Sequence, residues 1–587
     1  MYSIDEKLVM VRKAMAEEDI QAFVVPSTDE YLGEYVPEQN QRLRWISRFS
    51  GSAGIAIILA DRAAIFVDGR YTIQVKQQVC AELYEAHHLI EEPPIDWLVS
   101  QLNDGRVGVD SRLHSYKWHQ NISARCKAAG LDLKEILHNP IDEYWDDRPQ
   151  PERHIATLLE EKFTGEHSER KRRRIGEAIK ENDADVALIT QLDSIAWLLN
   201  IRGNDVPRLP VLLSASTLGS DGRMTLFTDL TKIPNDLHEH VGNGVTVKSD
   251  DEIGPTLASF SGLKVLFDPE ATNAFTALRC AEAGAIMVEG QDPVLLPKAQ
   301  KNSVELQGMR NCHVRDGSAV TRFLAWLSRE VAEGHLHDEA ILADKLLSFR
   351  NELKDLHDLS FDTISAAGSN SAICHYNHLN GDPASLALGS LYLVDSGGQF
   401  SDGTTDITRT VAIGEPSGEQ KQMFTLVLKG HIALNQAIFP KGTTGVQLDA
   451  LARQFLWQVG ADFDHGTGHG VGCFLSVHEG PQRISKSAPQ QALLPGMVLS
   501  NEPGYYKEGD FGIRCENLMA VWETENDMLA FETITFAPFD LSLIDQSLMT
   551  STEIDWLNRY HDIVREKLAP HLDEDDLRWV TNATAQI

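Results

Sequence analysis

A chain of 587 residues is too long for one hydrophobic core, so two to four domains are expected. Its 42% apolar and 24% charged residues are ordinary for a soluble globular protein, and its formal net charge of −33 argues against nucleic acid as the main partner and gives no support to an anionic-membrane role. The seven cysteines, at 80, 126, 280, 312, 374, 473 and 515, are odd in number and form no CxxC pair, which fits reduced thiols in the cytosol better than a disulfide framework.

The first stretch, MYSIDEKLVMVRKAMAEEDI, alternates charged and apolar residues as an amphipathic helix does, lacks the apolar core of a secretory signal, and points to a cytoplasmic location. No apolar run has the length of a membrane span. AFVVP (22–26) reads as a short strand, and GSAGIAIILADRAAIFVDGRY (51–71) as a β-hairpin turning at Ala60-Asp61-Arg62. Helix and strand patterns alternate to about residue 145. DDRPQPER (146–153), with two prolines among charges, reads as a linker, so a first α/β domain is expected over 1–153.

The next segment, 154–302, opens with a helix carrying RKRRR (170–174), which against the acidic total reads as a solvated helix face. DVALITQLDSIAWLLNIRGNDVPRLPVLLSAS (185–216) and MTLFTD (224–229) then echo the first segment: strand, polar turn, apolar segment with Trp, Arg-Gly, apolar strands, Asp. A degenerate internal duplication is expected, with a shared fold and no catalytic constellation in either copy.

In the third segment, 303–587, Asn302 or Ser303 caps a long helix through roughly Arg329, with Glu305 in its first turn. Helices expected over 338–355, 418–438 and 445–459 alternate with antiparallel strand patterns, an α+β arrangement with helices on one face of a curved sheet. STEIDWLNRYHDIVREKLAPHL (551–572) reads as a capped amphipathic helix suited to packing or dimer contact. The fold class read from these patterns is α/β plus α+β.

Every candidate ligand falls in this last segment. LYLVDSGGQFSDGTTDITRTV (391–411) reads as two apolar strands around a Gly/Ser/Asp turn; a turn centred near Phe400 and Ser401 sets Asp395 opposite Asp406 on one face. Like charges opposed across strands destabilise a sheet, so the pair calls for a cation or for protonation of one partner. Asp402, in Asp-Gly, reads as a turn residue. HGTGHGVG (465–472), LSNEPGYY (499–506) and GIRCENL (512–518) add imidazole, Glu502 and Glu516. Four carboxylates and one neutral imidazole carry four negative charges, which two divalent ions balance; this oxygen-rich set suits hard or borderline ions such as Mn²⁺. Glycines let the HGTGHG backbone approach a ligand, but spacing does not choose between His465 and His469. Arg514 lies two residues before Glu516, so in a strand both face one side, placing it to orient a ligating carboxylate or to make an ordinary salt bridge. Cys374 and Cys515, beside these residues, read as packing residues.

The order Asp, Asp, His, Glu, Glu in VDSGGQFSDGTTDITRT, HGTGHGVG, NEPGYY and GIRCEN, with SGSAGIAII, VDGRY and LDSIAWLLNIRG upstream, resembles the pita-bread (creatinase/methionine aminopeptidase-like) metallopeptidases, and among them the long three-domain aminopeptidase P branch. The resemblance implies two creatinase N-terminal-like domains, 1–153 and 154–302, before a pita-bread catalytic domain, 303–587. It implies release of the residue preceding a proline by a hydroxide bridging two divalent ions, Mn²⁺ first, with Zn²⁺ or Co²⁺ as alternatives. It makes Asp395, Asp406, His469, Glu502 and Glu516 the metal ligands, with Glu502 also the base. His375 in AICHYNH and His478 in SVHEG would contact the scissile carbonyl, and His465 would line the substrate pocket; without the metal motif, each reads as a structural histidine. Arg70 in VDGRY would reach bound substrate, within its own subunit or across a dimer. The partners implied are peptides beginning Xaa-Pro and a second copy in a homodimer. A prolidase is the alternative in the same class, against which the chain length and the short separation of Glu502 from Glu516 count. A creatinase-type enzyme without metal, or an inactive binding module, is opposed by the complete ligand set.

Overall fold

The computed structural model describes residues 2–487 and 489–587. The chain forms two compact units, one running to Glu160 and resuming over Glu166–Leu295, the other built from Glu161–Gly165 and Leu296–Ile587. Among the described residues no helix is long and apolar enough to cross a membrane.

The first unit holds two six-stranded sheets. The first comprises Ala22–Pro26, Gly54–Leu59, Ala63–Val67, Glu85–His88, Gly105–Val109 and Leu131–Glu135; the second comprises Val186–Ile189, Ala215–Gly219, Met224–Phe227, Val245–Lys248, Lys264–Phe267 and Ile286–Glu289. Numbered by chain order within each sheet, both run 4-3-2-1-5-6. In both, strands 1–2 and 2–3 pair antiparallel while 3–4, 1–5 and 5–6 pair parallel. The same wiring twice is the duplication suggested by the echoing sequence.

Local chemistry accounts for these elements. The expected hairpin forms with Gly54 opposite Val67 and Ile58 opposite Ala63, its aliphatic strands almost wholly buried. Helix Ile4–Glu17 opens with a capping box between Ser3 and Glu6 and buries Leu8, Val11 and Met15 in the same core. The basic run corrects its expectation. Arg170, Arg173 and Arg174 face solvent, but Lys171 and Arg172 lie on the inward side of helix Ser168–Glu181 and are buried. Lys171 donates to the carbonyl of Trp197 at 3.1 Å and to Asn200 at 2.8 Å, and Arg172 to the carbonyls of Gly222 and Val241 at 2.9 and 2.7 Å. The end of helix Leu192–Leu199 and the adjoining loops present carbonyls with spare accepting capacity, and the two cations bind them.

The second unit opens with helix Ser303–Ala332, whose N-cap Asn302 forms a capping box with Glu305. Gly308 lets this helix lie directly on the ligand hairpin, since a Cβ there would meet the Asp402 carbonyl at 2.3 Å. Helices Glu339–Arg350, Gly418–Asn435 and Gly445–Trp457 follow, each ending earlier than expected. After Gly418–Asn435 the reason is visible: Ile438–Pro440 pairs with Met528–Thr533 as an edge strand. One sheet has Ser390–Ser396 between Ile364–Ala367 and Ile407–Ile413; another runs Ile438–Pro440, Met528–Thr533, Asn517–Glu523, Val498–Asn501, Gly468–Gly470, Glu479–Ile484.

The register of the ligand hairpin also differs from expectation. Asp395 pairs with Thr408, and the ladder continues through Gln399 with Thr404 and Phe400 with Gly403. The turn is therefore Ser401-Asp402, one residue later than expected, and Asp406 is not directly opposite Asp395. Moving a turn by one residue moves each partner by two, so side-chain parity survives while a hydroxyl, rather than a like charge, faces Asp395.

Helix Ser551–Leu568, opened by a capping box between Thr550 and Glu553, buries Trp556, Leu557, Tyr560, Val564 and Leu568 in the core of its own unit with Phe424, Val427 and Ile513. Its Tyr560 hydroxyl accepts from the buried Arg409 guanidinium at 2.9 Å and donates to the Ala537 carbonyl at 2.8 Å, and Arg409 also binds the Glu516 carbonyl at 2.6 Å. Tyr560→Phe removes the bridge between that guanidinium and the Ala537 carbonyl, while Arg409 Nη2 keeps Asn517 Oδ1 and the Ala537 carbonyl at 2.8 Å each, at a cost of about 1 kcal/mol. The expected result is a thermal midpoint lower by a few degrees in differential scanning calorimetry, and an unchanged midpoint would deny the hydroxyl this role.

Candidate metal centre

The candidate residues sit at strand ends, where side chains leave the ladder. Asp395 is the next-to-last residue of Ser390–Ser396, Asp406 immediately precedes Ile407–Ile413, and Glu502 immediately follows Val498–Asn501. Glu516 lies in the gap between Phe511–Arg514 and Asn517–Glu523, and His469 is central in Gly468–Gly470. A register shift between His469 and Gly470 against Glu479–Ile484 re-aims the imidazole, as bulges do. Gly468 beside it is obligatory, because a Cβ would meet the Ser500 carbonyl at 2.1 Å.

These five residues converge. His469 Nε2 lies 3.3 Å from Glu502 Oε1 and 3.5 Å from Asp406 Oδ2. One ligand atom each from Asp406, His469 and Glu516 falls within 4.8 Å of the others. His469 Nδ1 is 2.9 Å from the Gly470 carbonyl, so Nδ1 carries the proton and the Nε2 lone pair faces carboxylate oxygens. Asp395 Oδ2 accepts from Arg514 Nη2 at 2.5 Å, whereas its Oδ1 is buried and has no hydrogen-bond partner. Glu516 Oε2 accepts from Thr408 Oγ1 at 2.7 Å, and Glu502 Oε1 from Ser500 Oγ at 3.1 Å.

The electrostatics call for cations. Burial, then the charges of Asp395 and Glu502, push the Asp406 carboxyl well above the usual carboxylate range. Burial, then Asp406 and Asp395, do the same to Glu516. Glu502 is pushed up to about 7, by burial first and by Asp395, while the Arg514 cation opposes the rise. Arg514 by itself cannot balance four carboxylates, and a lone pair facing carboxylates beside an orphaned buried oxygen is the environment a metal ion completes. Divalent ions therefore fit this donor set.

Around the cluster, the His478 ring stands 4.4 Å from the His469 ring in a T-shaped contact. His465 Nδ1 donates to the Gly466 carbonyl at 2.8 Å, so Nε2 accepts from the Tyr506 hydroxyl, also at 2.8 Å. Tyr506 in turn accepts from Arg514 Nη1 at 2.8 Å, completing a chain Asp395–Arg514–Tyr506–His465. His375, half-buried, follows Cys374, whose carbonyl lies 3.4 Å from Arg514 Nη1. Arg70 lies in the first unit, where its guanidinium pairs with Asp68 at 2.8 Å and Glu34 at 3.3 Å. The seven cysteines form no disulfide; Cys515 is buried, which pushes its thiol up to about 12, and Cys374 is half-buried.

Sequence reading missed several supports. The Glu339 carboxylate accepts from the Ala367 and Ala384 amides, Asn370 and Tyr376 at 2.7–2.9 Å, tying down the loop that carries His375. Glu479, next to His478, is buried against Lys298 at 2.8 Å and against Lys301. Tyr506 lies in the NEPGYY motif and Thr408 in the hairpin, so both were in view without a role. Glu339 lies in no motif, and nothing in the sequence marked it.

A largely buried four-carboxylate, one-imidazole cluster at the strand ends of an α+β unit, in a chain that also carries a duplicated α/β unit, defines a metal-dependent hydrolase of the pita-bread class. The chain belongs to metallopeptidase family M24, whose profile matches residues 307–523, with the profile for its C-terminal region matching 527–587. Two profiles of the creatinase/prolidase N-terminal domain match 8–139 and 147–305. Within the family the likeness is to aminopeptidase P over the full length. The chain is 39% identical to the protein named Probable Xaa-Pro aminopeptidase P in Sordaria macrospora, covering 99% of each chain. It is 37% identical to Xaa-Pro aminopeptidase 1 of Dictyostelium discoideum, covering 99% of this chain and 96% of that one. The crystal structure of X-prolyl aminopeptidase from Caenorhabditis elegans, described as a cytosolic enzyme with a di-nuclear active site, superposes with a TM-score of 0.95 at 34% identity over 100% of both chains.

Proposed function

We propose that this chain is an Xaa-Pro aminopeptidase, hydrolysing the bond between the first residue of a peptide and a following proline. The observation that carries the reading is the gathering of the Asp406, Glu502 and Glu516 carboxylates about His469, with the Oδ1 of Asp395, whose charge acts on all three, left unpartnered. Asp395, Asp406, His469, Glu502 and Glu516 would hold two divalent ions. Bound there, such ions supply Lewis acidity to the scissile carbonyl and acidify the attacking water.

The protein's own groups do the rest. Glu502, with one oxygen fixed by Ser500, is placed to take a proton from water and return it to the departing proline nitrogen. His375 and His478 donate to the oxygen that gains charge as the carbonyl becomes tetrahedral. His465, oriented by Tyr506 and Arg514, lines the pocket for the substrate. A carboxylate of the cluster holds the free α-amine, which limits cleavage to the N-terminus. An Xaa-Pro bond lacks an N–H and carries a ring, so a pocket shaped to that ring admits what general aminopeptidases handle poorly. A substrate contact from Arg70 and a homodimer belong to the same proposal and rest on the family likeness. Manganese is supported by the oxygen-rich donor set, and a cytosolic location by the unpaired cysteines.

The test is release of the first residue from Arg-Pro-Pro, Arg-Ala-Pro and Arg-Pro by metal-stripped protein with and without Mn²⁺. Metal-dependent cleavage of Arg-Pro-Pro alone is expected. Cleavage of only the dipeptide would move the assignment to a prolidase, and no cleavage with any divalent ion would overturn it.

A further inference from the structure

Helices Ser303–Ala332 and Glu339–Arg350 each send one charged side chain into the core beneath the ligand hairpin. Arg350 is fully buried and binds Asp316 through both edges, Nε to Oδ1 at 2.7 Å and Nη2 to Oδ2 at 3.1 Å. The pair is tied to the hairpin at two points. Arg350 Nη1 donates to Ser396 Oγ, and Thr405 Oγ1 donates to Asp316 Oδ2 at 2.9 Å. Ser396 directly follows Asp395, and Thr405 directly precedes Asp406. Both hydroxyls are almost completely buried, and each has a second bond: Ser396 with Thr363 at 2.7 Å, and Thr405 from the Gly398 amide at 2.8 Å.

This placement matters because the pairing between the two strands is interrupted beside Asp406. The pairing that sets Asp395 opposite Thr408 is interrupted after Ser396 and Ile407 and resumes in the same register at Gln399 and Thr404. Thr405 and Asp406 lie in that interruption, outside any strand, where one backbone bond, from the Thr405 amide to the Gly398 carbonyl at 2.9 Å, is joined by the side-chain tie to Asp316 next to Asp406. A buried ion pair adds little net stability by itself, but it holds its partners in a defined geometry.

We propose that the Asp316–Arg350 pair is a positioning device for the metal centre, setting the spacing of Asp395 and Asp406 and thereby how tightly the ions are held. The inference rests on the reading of those aspartates as metal ligands. Neither charged residue touches the ligand atoms; each acts through a hydroxyl on the neighbouring residue. Substitutions behind metal ligands typically weaken binding by about 10–100-fold.

The experiment titrates the metal-stripped full-length protein with Mn²⁺, reading affinity by calorimetry and ion-pair geometry by the electron paramagnetic resonance signal of coupled Mn²⁺. Thr405→Val, which removes the Asp406 tie together with the acceptor for the Gly398 amide and leaves the Ser396 tie in place, is expected to weaken binding by about 10–100-fold and to diminish the coupled signal at two equivalents. Thr405→Ser, which restores the hydroxyl, is expected to return both to wild-type values. Thr425→Val removes a buried hydroxyl that donates to the Lys421 carbonyl at 2.7 Å on another helix and should leave both unchanged. Should Thr405→Val fail to fold, Ser396→Ala cuts the other tie and is read the same way. Wild-type affinity and signal in the hydroxyl-deleted variant overturn the inference while leaving the metal ligands standing. Failure of the wild-type protein to bind two ions overturns the metal reading, and this inference with it.

Discussion

Replacing Glu502 by glutamine is expected to leave a folded protein that cleaves Arg-Pro-Pro at least about 10³-fold more slowly. The substitution preserves shape, and the Ser500 hydroxyl, which donates to Glu502 Oε1 at 3.1 Å, can donate equally to an amide oxygen. What is lost is the group that takes the proton. A glutamine cannot be protonated near neutrality, whereas a carboxylate can take a proton from the attacking water and release it within one turnover. Measuring kcat beside the circular dichroism spectrum separates lost chemistry from lost fold. Retention of more than a tenth of wild-type kcat would remove Glu502 from the role of base.

The second large effect is the loss, on metal binding, of a pH dependence of stability. In the metal-free protein the folded-state carboxyl of Glu502 is raised from 4.5 to about 7, and Asp406 and Glu516 are raised further in the same direction, by burial and by one another. Between those values the folded state holds protons that the unfolded state has released. The resulting stabilisation is full below pH 4.5 and is lost as pH rises through about 7. For Glu502 the loss is about 3 kcal/mol. The thermal midpoint of metal-stripped protein should therefore fall between pH 5.5 and pH 8. Saturating Mn²⁺ should abolish that fall, adding about 4 kcal/mol at a thousandfold excess over Kd. Glu502→Gln, with one fewer crowded carboxylate, should flatten the metal-free profile. A metal-free midpoint independent of pH, or one that Mn²⁺ lowers, would contradict the site as described.

Several elements were legible because their causes are local. Capping boxes at Ser3, Asn302 and Thr550 lie within four residues of the helix positions they satisfy, and the aliphatic runs of Gly54–Leu59 and Ala63–Val67 declare a buried hairpin by composition alone. The basic run at 170–174 was misread because solvation was inferred from net charge. The carbonyls that bury Lys171 and Arg172 come from residues 197, 222 and 241, which proximity in sequence cannot reveal.

By itself the sequence determined the α/β and α+β composition, the duplicated strand pattern and the order of two aspartates, histidines and two glutamates in glycine-rich or strand-end settings. These follow from propensity, periodicity and side-chain chemistry, which act over a few residues. The tertiary structure decided what depends on distance. It set the hairpin turn at Ser401-Asp402, so that Thr408 rather than Asp406 faces Asp395, and turned the Nε2 lone pair of His469 toward Asp406 and Glu502. It also brought Arg514, Tyr506, Glu339 and the Asp316–Arg350 pair behind the residues they support. A buried charge must find its partner somewhere in the fold, and that partner can lie a hundred residues away.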